Sequence, residues 1–221
     1  MTILQDKDRA AVQEAFAGLA QPVHLVLVTS AESGEYSEVA RALLDEVTAL
    51  HEHLSLEVLD LVAEAERAAA LGVDKAPTVV FLAGSERTDH GIRFAGLPSG
   101  YEFATLVEAI RLLGGASEAA LQPATMAFLE RLSAPMRLQV FVTPTCPYCP
   151  RAVVLAYRLA LASPQVSAEG VEVSEFPELG DRYAVMGVPK TVIDELVHIE
   201  GAAPESVLLQ KLREALVGES S

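Results

Sequence analysis

The chain has 221 residues, 51% of them hydrophobic and 21% charged, enough to bury one large core or two smaller ones. A formal charge of −15 without any basic stripe argues against nucleic acid, and no apolar run reaches the roughly 18 to 20 residues that span a bilayer. Two cysteines are too few for a disulfide framework, and the early mixed charges of Asp6-Lys7-Asp8-Arg9 lack a secretory pattern, so a cytoplasmic protein is expected.

Hydrophobic period and punctuation place the elements in chain order. An amphipathic helix is predicted from about Asp6 to Ala20, with Val12, Phe16 and Leu19 at helical spacing. After Pro22, the run His24–Val28 has the apolar content of a buried parallel strand. A helix to about Leu50, a strand at Leu54–Leu59 and an Ala-rich helix ending at Leu71-Gly72 follow. Thr78–Leu82 and Gly91–Phe94 read as two further strands. A helix from about Gly100 then sets Phe103, Leu106, Val107 and Ile110 on one face and stops at Gly114-Gly115.

The same order recurs downstream. A helix is expected over Glu118–Leu132, a buried strand at Leu138–Val142, a helix from the cysteines to about Ala162, and a strand near Val166–Val173. A helix around Pro177–Met186, strands at Thr191–Ile193 and Val197–Ile199, and a last helix from Pro204 to Val217 complete the pattern. Val28-Thr29 matches Val142-Thr143, the stretch around Pro77 matches that around Pro189, and Gly96-Leu97-Pro98 matches Gly201–Pro204. The nearly constant shift of the first two anchors and the shared order of all three indicate an internal β-α-β-α-β-β-α repeat. The predicted units are residues 1–116 and 117–221.

The chemistry concentrates at Cys146-Pro147-Tyr148-Cys149. A disulfide between cysteines this close constrains little of the unfolded chain, so a structural role explains it poorly. Behind a strand and at a helix start, unpaired N–H groups and the helix dipole stabilise a Cys146 thiolate, and Cys149 can attack a mixed disulfide one turn on. Pro147 and Pro150 suit a first helical turn, where a missing N–H has no acceptor to leave unpaired. A zinc site is the alternative, but it needs four ligands, and His24, His51, His53, His90 and His198 show no Cys-to-His spacing. Inert buried thiols are a further alternative. Val188-Pro189, ahead of a strand, fits either a trans proline opening that strand or a cis bond that presents its backbone to a docking peptide.

Cys-Pro-Tyr-Cys followed by Gly187-Val188-Pro189 and Gly201 resembles the thioredoxin superfamily, and the Pro-Tyr pair is glutaredoxin-like. Over nearly its whole length the chain is similar to the glutaredoxin-like protein disulfide oxidoreductases, on the runs Gly91–Phe103 and Val185–Lys190. The resemblance implies an α/β protein of two tandem thioredoxin-like folds, each a central mixed β-sheet flanked by helices. It also implies a cis Pro189 beside the cysteines. By the same carry-over Cys146 is the nucleophile, Cys149 resolves, and Pro147, Tyr148, Val188 and Pro189 contact substrate.

One departure is expected to matter. The repeat register sets Glu32 and Glu35 opposite Cys146 and Cys149, so the first unit has no dithiol. A single site in the second unit also resembles the N-terminal domain of the alkyl hydroperoxide reductase flavoprotein, which passes electrons to a peroxiredoxin. Thioredoxins further carry a buried Asp on the strand leading to the cysteines, where this chain has Val140. Proton transfer to Cys149 then falls to water or another group. Lys190 reads as a group helping the thiolate or as an exposed charge.

The expected function is thiol–disulfide exchange on protein disulfides in cell redox homeostasis, with no metal and no cofactor beyond the redox-active Cys146–Cys149 disulfide. Without a GxGxxG fingerprint the chain needs a separate reductase, such as thioredoxin reductase. The alternative is a dedicated carrier between a flavin disulfide reductase and a peroxiredoxin. Neither reading calls for nucleic acid or a membrane.

Overall fold

The computed structural model describes residues 3–218. Two compact units emerge: the first takes the chain to Asp89 with Arg93–Pro98 and Leu106–Glu118, the second His90–Ile92, Ser99–Thr105 and the chain from Ala119 onward. Elements α1 (Asp6–Phe16), β1 (Val23–Thr29), α2 (Gly34–Thr48), β2 (Leu54–Asp60), α3 (Ala65–Ala70), β3 (Thr78–Ala83), β4 (Thr88–Ala95) and α4 (Glu102–Leu113) come first. The order then repeats as α5 (Pro123–Leu129), β5 (Met136–Val142), α6 (Cys149–Ala162), β6 (Val166–Glu172), α7 (Pro177–Arg182), β7 (Lys190–Ile193), β8 (Val197–Glu200) and α8 (Glu205–Gly218).

Each half builds a mixed sheet around one central strand. β1 lies parallel to β2 and antiparallel to β3, which pairs antiparallel with β4. In the same way β5 lies parallel to β6 and antiparallel to β7, and β7 pairs with β8. A strand with partners on both edges and cover on both faces has no position for a solvated side chain, which explains the unbroken apolar runs. Leu25–Val28 and Leu138–Val142 are buried throughout. Val26, Val28, Leu59, Ala68, Val73, Val80 and Leu82 form one core cluster in the first unit. In the second, Phe141 on β5 and Tyr157 on α6 are fully buried; rings of this size contribute about 2 to 3 kcal/mol each by leaving water.

The repeat extends to backbone detail. Ala76–Pro77 and Val188–Pro189 are both cis. The Pro77 carbonyl accepts the Gly96 N–H and the Pro189 carbonyl accepts the Gly201 N–H, each at 2.8 Å. Both glycines sit at positive φ, 97° and 80°, where a side chain would be strained.

Three helices are shorter than their apolar period suggests. α1 stops at Phe16. α5 starts only at Pro123, because Gln122 is extended and proline fits the first helical position. α7 ends at Arg182, not near Met186: Ala184 turns to φ 48°, and Val185 N–H closes back on the Gly180 carbonyl at 2.8 Å. That early stop leaves Met186 in solvent, 93% exposed. Among the described residues, no helix is long and apolar enough to cross a membrane.

Candidate redox site

β5 delivers the chain to the loop 143–148, and α6 begins at Cys149 with Pro150 in its first turn. The helix therefore starts at the second cysteine, and Cys146 lies just ahead of it. Its N–H donates to the Thr143 carbonyl at 3.2 Å, and the Cys149 N–H donates to the Cys146 carbonyl at 3.4 Å. This tight turn holds the two Cα atoms 5.5 Å apart, and the sulfurs are joined as a disulfide. Among the described residues, no group of three or more His, Cys, Asp or Glu side chains could hold a metal ion.

The two sulfurs are not equivalent. Cys146 retains 8% exposure and Cys149 none. Cys146 also lies just ahead of the start of α6, the position that favours a thiolate. On its other side, Cys146 Sγ lies 3.7 Å from the Val188 carbonyl oxygen, next to the cis Val188–Pro189 bond. Pro189 is buried, Val188 half-buried, Pro147 exposed and Tyr148 70% exposed. The residues singled out by sequence thus converge from two distant segments.

Lys190 does not serve the thiolate. It is only 4% exposed, donates to the Ala184 carbonyl at 3.0 Å and pairs with Glu200 at 3.0 Å, which anchors the irregular turn after α7. Val140, buried on β5, brings no carboxylate. The nearby buried acids on β6 are occupied: Glu169 accepts from Arg137 and Gln139, and Glu172 accepts the backbone N–H groups of Ser174 and Glu175.

Sequence reasoning missed a second acid and the segment that carries it. The Tyr101 N–H donates to the Pro144 carbonyl at 2.9 Å, which ties Ser99–Thr105 to the redox loop within the same unit. Glu102, the next residue, is fully buried. Its Oε2 accepts the Thr105 hydroxyl at 2.6 Å, while Oε1 is buried without a hydrogen-bond partner. Burial pushes this carboxyl up to about 7, against the weaker opposing effect of the Thr105 bond. A signal was available: Glu102 falls on the stripe of Leu106, Ala109 and Leu113, all buried. A helix-opening Glu is so commonly a solvated dipole partner that the stripe position passed unread.

Gly100 makes that junction possible. It sits at φ +58°, and a Cβ built there would lie 2.2 Å from the Pro144 oxygen. Gly100→Ala should therefore displace the redox loop and destabilise the fold by about 2 kcal/mol or more, read as a lower urea midpoint. An unchanged midpoint would mean that the loop yields freely.

The first unit keeps this frame without its thiols. Its connection, residues 30–33, is shorter than 143–148. Glu32 and Glu35, which the repeat sets opposite the cysteines, are both exposed, Glu32 in the connection and Glu35 in the first turn of α2. Hydroxyls fill the turn, with Ser30 and Ser33 exchanging backbone-to-side-chain bonds and Ser33 meeting Ser37. The histidines are engaged elsewhere, His24 with Ser55 and His198 edge-on to Tyr183.

The thioredoxin domain family matches residues 136–214, the segment that holds the disulfide and the cis proline. The NTD_N/C domain of alkylhydroperoxide reductase AhpF from Enterococcus faecalis superposes with a TM-score of 0.86 at 30% identity, covering 94% of this chain and 99% of that one. A protein disulfide oxidoreductase from Aeropyrum pernix gives a TM-score of 0.88 at 29% identity, covering 99% and 96% respectively. The alkyl hydroperoxide reductase AhpF of Staphylococcus epidermidis is 26% identical over 185 residues, 84% of this chain but 33% of that protein. The chain thus spans about a third of the length of this curated relative.

Proposed function

This chain belongs to the thioredoxin superfamily as a thiol–disulfide oxidoreductase of two tandem thioredoxin-like folds, and on that premise we propose that it exchanges electrons with protein disulfides through Cys146 and Cys149. The observation that carries the reading is the asymmetry of the pair, with Cys146 retaining 8% exposure and Cys149 none. In the reducing direction the Cys146 thiolate attacks one sulfur of the partner disulfide. A mixed disulfide forms and the partner's other sulfur leaves as a thiolate, which takes a proton from water. Cys149 then attacks Cys146, releases the second partner thiolate and closes the Cys146–Cys149 disulfide. Two electrons have passed to the partner. Pro147, Tyr148, Val188 and Pro189 frame the accessible sulfur and are assigned to partner binding.

A disulfide reductase recharges the couple in this reading; the 221 residues themselves carry no dinucleotide fingerprint. Dithiothreitol should expose two thiols in the folded chain, and catalytic amounts of protein should speed insulin disulfide reduction by dithiothreitol well above background. A rate equal to background would sink the assignment.

Similarity to the alkyl hydroperoxide reductase AhpF over most of the chain favours a second reading, a dedicated carrier between a flavin disulfide reductase and a peroxiredoxin. Stopped-flow oxidation of the reduced chain separates the two. A peroxiredoxin disulfide reacting roughly a hundredfold faster than insulin selects the carrier, and comparable rates select the general oxidoreductase.

A further inference from the structure

Lys190 is a buried cation at the first position of β7, directly after Pro189 and only 4% exposed. Taking an ammonium group out of water is costly unless acceptors and an opposite charge replace its hydration. Both come from the surroundings of one loop. The Ala184 carbonyl accepts from Nζ at 3.0 Å, and Glu200, the residue opposite Lys190 in the β7–β8 ladder, pairs with it at 3.0 Å. Neither cysteine is among these partners.

The bond to Ala184 closes the segment 185–189 into a ring. At one end Ala184 sits at φ 48°, and the Val185 N–H returns to the Gly180 carbonyl. At the other end the Pro189 carbonyl accepts the Gly201 N–H. The middle has little packing of its own: Met186 stands in solvent, and nothing lies within 4 Å of where a Gly187 Cβ would be. A segment held by its ends takes its position from those ends. That position sets the Val188 carbonyl 3.7 Å from Cys146 Sγ.

The first unit ties down the same turn differently. Thr78, directly after Pro77, donates its hydroxyl to the Lys75 carbonyl three residues back, at 2.8 Å. A neutral group suffices there, in a unit without a thiol. The unit with the dithiol uses a buried charge that reaches back six residues. A buried charge is the costlier device, and it occurs where loop position bears on a reacting sulfur.

We propose that Lys190 is a positioning residue of the redox site, tying Ala184 to Glu200 so that the Val188 carbonyl stays against the Cys146 sulfur and tempers its ionisation. This role rests on the redox reading of Cys146. In the reduced chain that carbonyl accepts the Cys146 S–H and turns its negative end towards the sulfur, and both effects favour the thiol over the thiolate. Lys190 acts through the loop, because Glu200 matches its charge at contact distance.

The ultraviolet absorbance of the thiolate, followed against pH in the reduced wild type and in Lys190→Met/Glu200→Gln, tests it. The ion pair is neutral as a whole in the wild type and absent from the variant, so its direct field cancels; Arg151 on α6 and Glu102 on α4 are common to both proteins. The lower of the two thiol steps, that of Cys146, should fall by about 0.5 in the double variant, the scale of one weak S–H bond. Lys190→Arg, which keeps a cation able to reach both acceptors, should restore most of the wild-type value. Where circular dichroism shows the double variant unfolded, Lys190→Gln takes its place. The step should again fall, whereas losing a cation that acts directly on the sulfur would raise it. An unchanged or raised step in a folded variant would overturn the role of Lys190 and leave the redox assignment standing. Absence of insulin turnover by the wild type would overturn the redox assignment and this role with it.

Discussion

Cys146→Ser should reduce dithiol-driven reduction of protein disulfides to background, while Cys149→Ser should stall at a covalent complex with the partner. Serine cannot replace the nucleophile, because its hydroxyl is not ionised at neutral pH and no other thiol exists in the chain beyond Cys149. Cys149 cannot take over the attack, since its sulfur has no exposed surface. The expected loss is on the order of a thousandfold or more, the scale at which removing a nucleophile leaves only residual binding effects. In Cys149→Ser the first attack remains and the resolving step is gone. A one-to-one disulfide complex should then accumulate, visible on a non-reducing gel and abolished by Cys146→Ser. Retained turnover in Cys146→Ser, or trapping through Cys149 alone, would reverse the assigned roles.

Glu102→Gln should change how stability depends on pH. Burial raises the folded-state carboxyl to about 7 from an ordinary value of 4.5. As pH rises through 4.5 the unfolded chain ionises this group while the folded chain keeps it protonated. The unfolded state then binds fewer protons, so folding stability falls between about pH 4.5 and 7 and levels off once both states are ionised. Over that window the loss amounts to about 3 kcal/mol from this one residue. Glutamine is neutral throughout and can still accept from Thr105. The unfolding free energy of the variant relative to wild type should therefore rise by about 3 kcal/mol from pH 4 to pH 8. Parallel stability–pH curves for the two proteins would mean that Glu102 ionises in the fold as it does in the unfolded chain.

The thiols and their partner proline were legible because their signals are local. A Cys-x-x-Cys run bracketed by prolines reports a helix start without reference to anything distant. The Val-Pro pair is legible as an X-Pro bond ahead of a buried strand, although only the backbone shows that it and Ala76–Pro77 are both cis. Helix lengths were less legible. Apolar period carried α7 to Met186, but the left-handed turn at Ala184 and the Lys190 bond to its carbonyl end the helix sooner.

By itself the sequence determined the chemistry: which residues can exchange electrons, that they open a helix behind a buried strand, and that the first unit lacks them. Strand burial, proline geometry and cysteine spacing are properties of adjacent residues, so they survive without a structure. Tertiary structure alone decided which cysteine retains exposure, that Ser99–Thr105 belongs to the unit of the redox loop, and that Glu102 is sealed, with burial pushing its carboxyl up to about 7. Exposure and desolvation depend on what packs over a group from far along the chain. A glycine whose missing side chain makes room for the Pro144 carbonyl looks, in sequence, like any other turn.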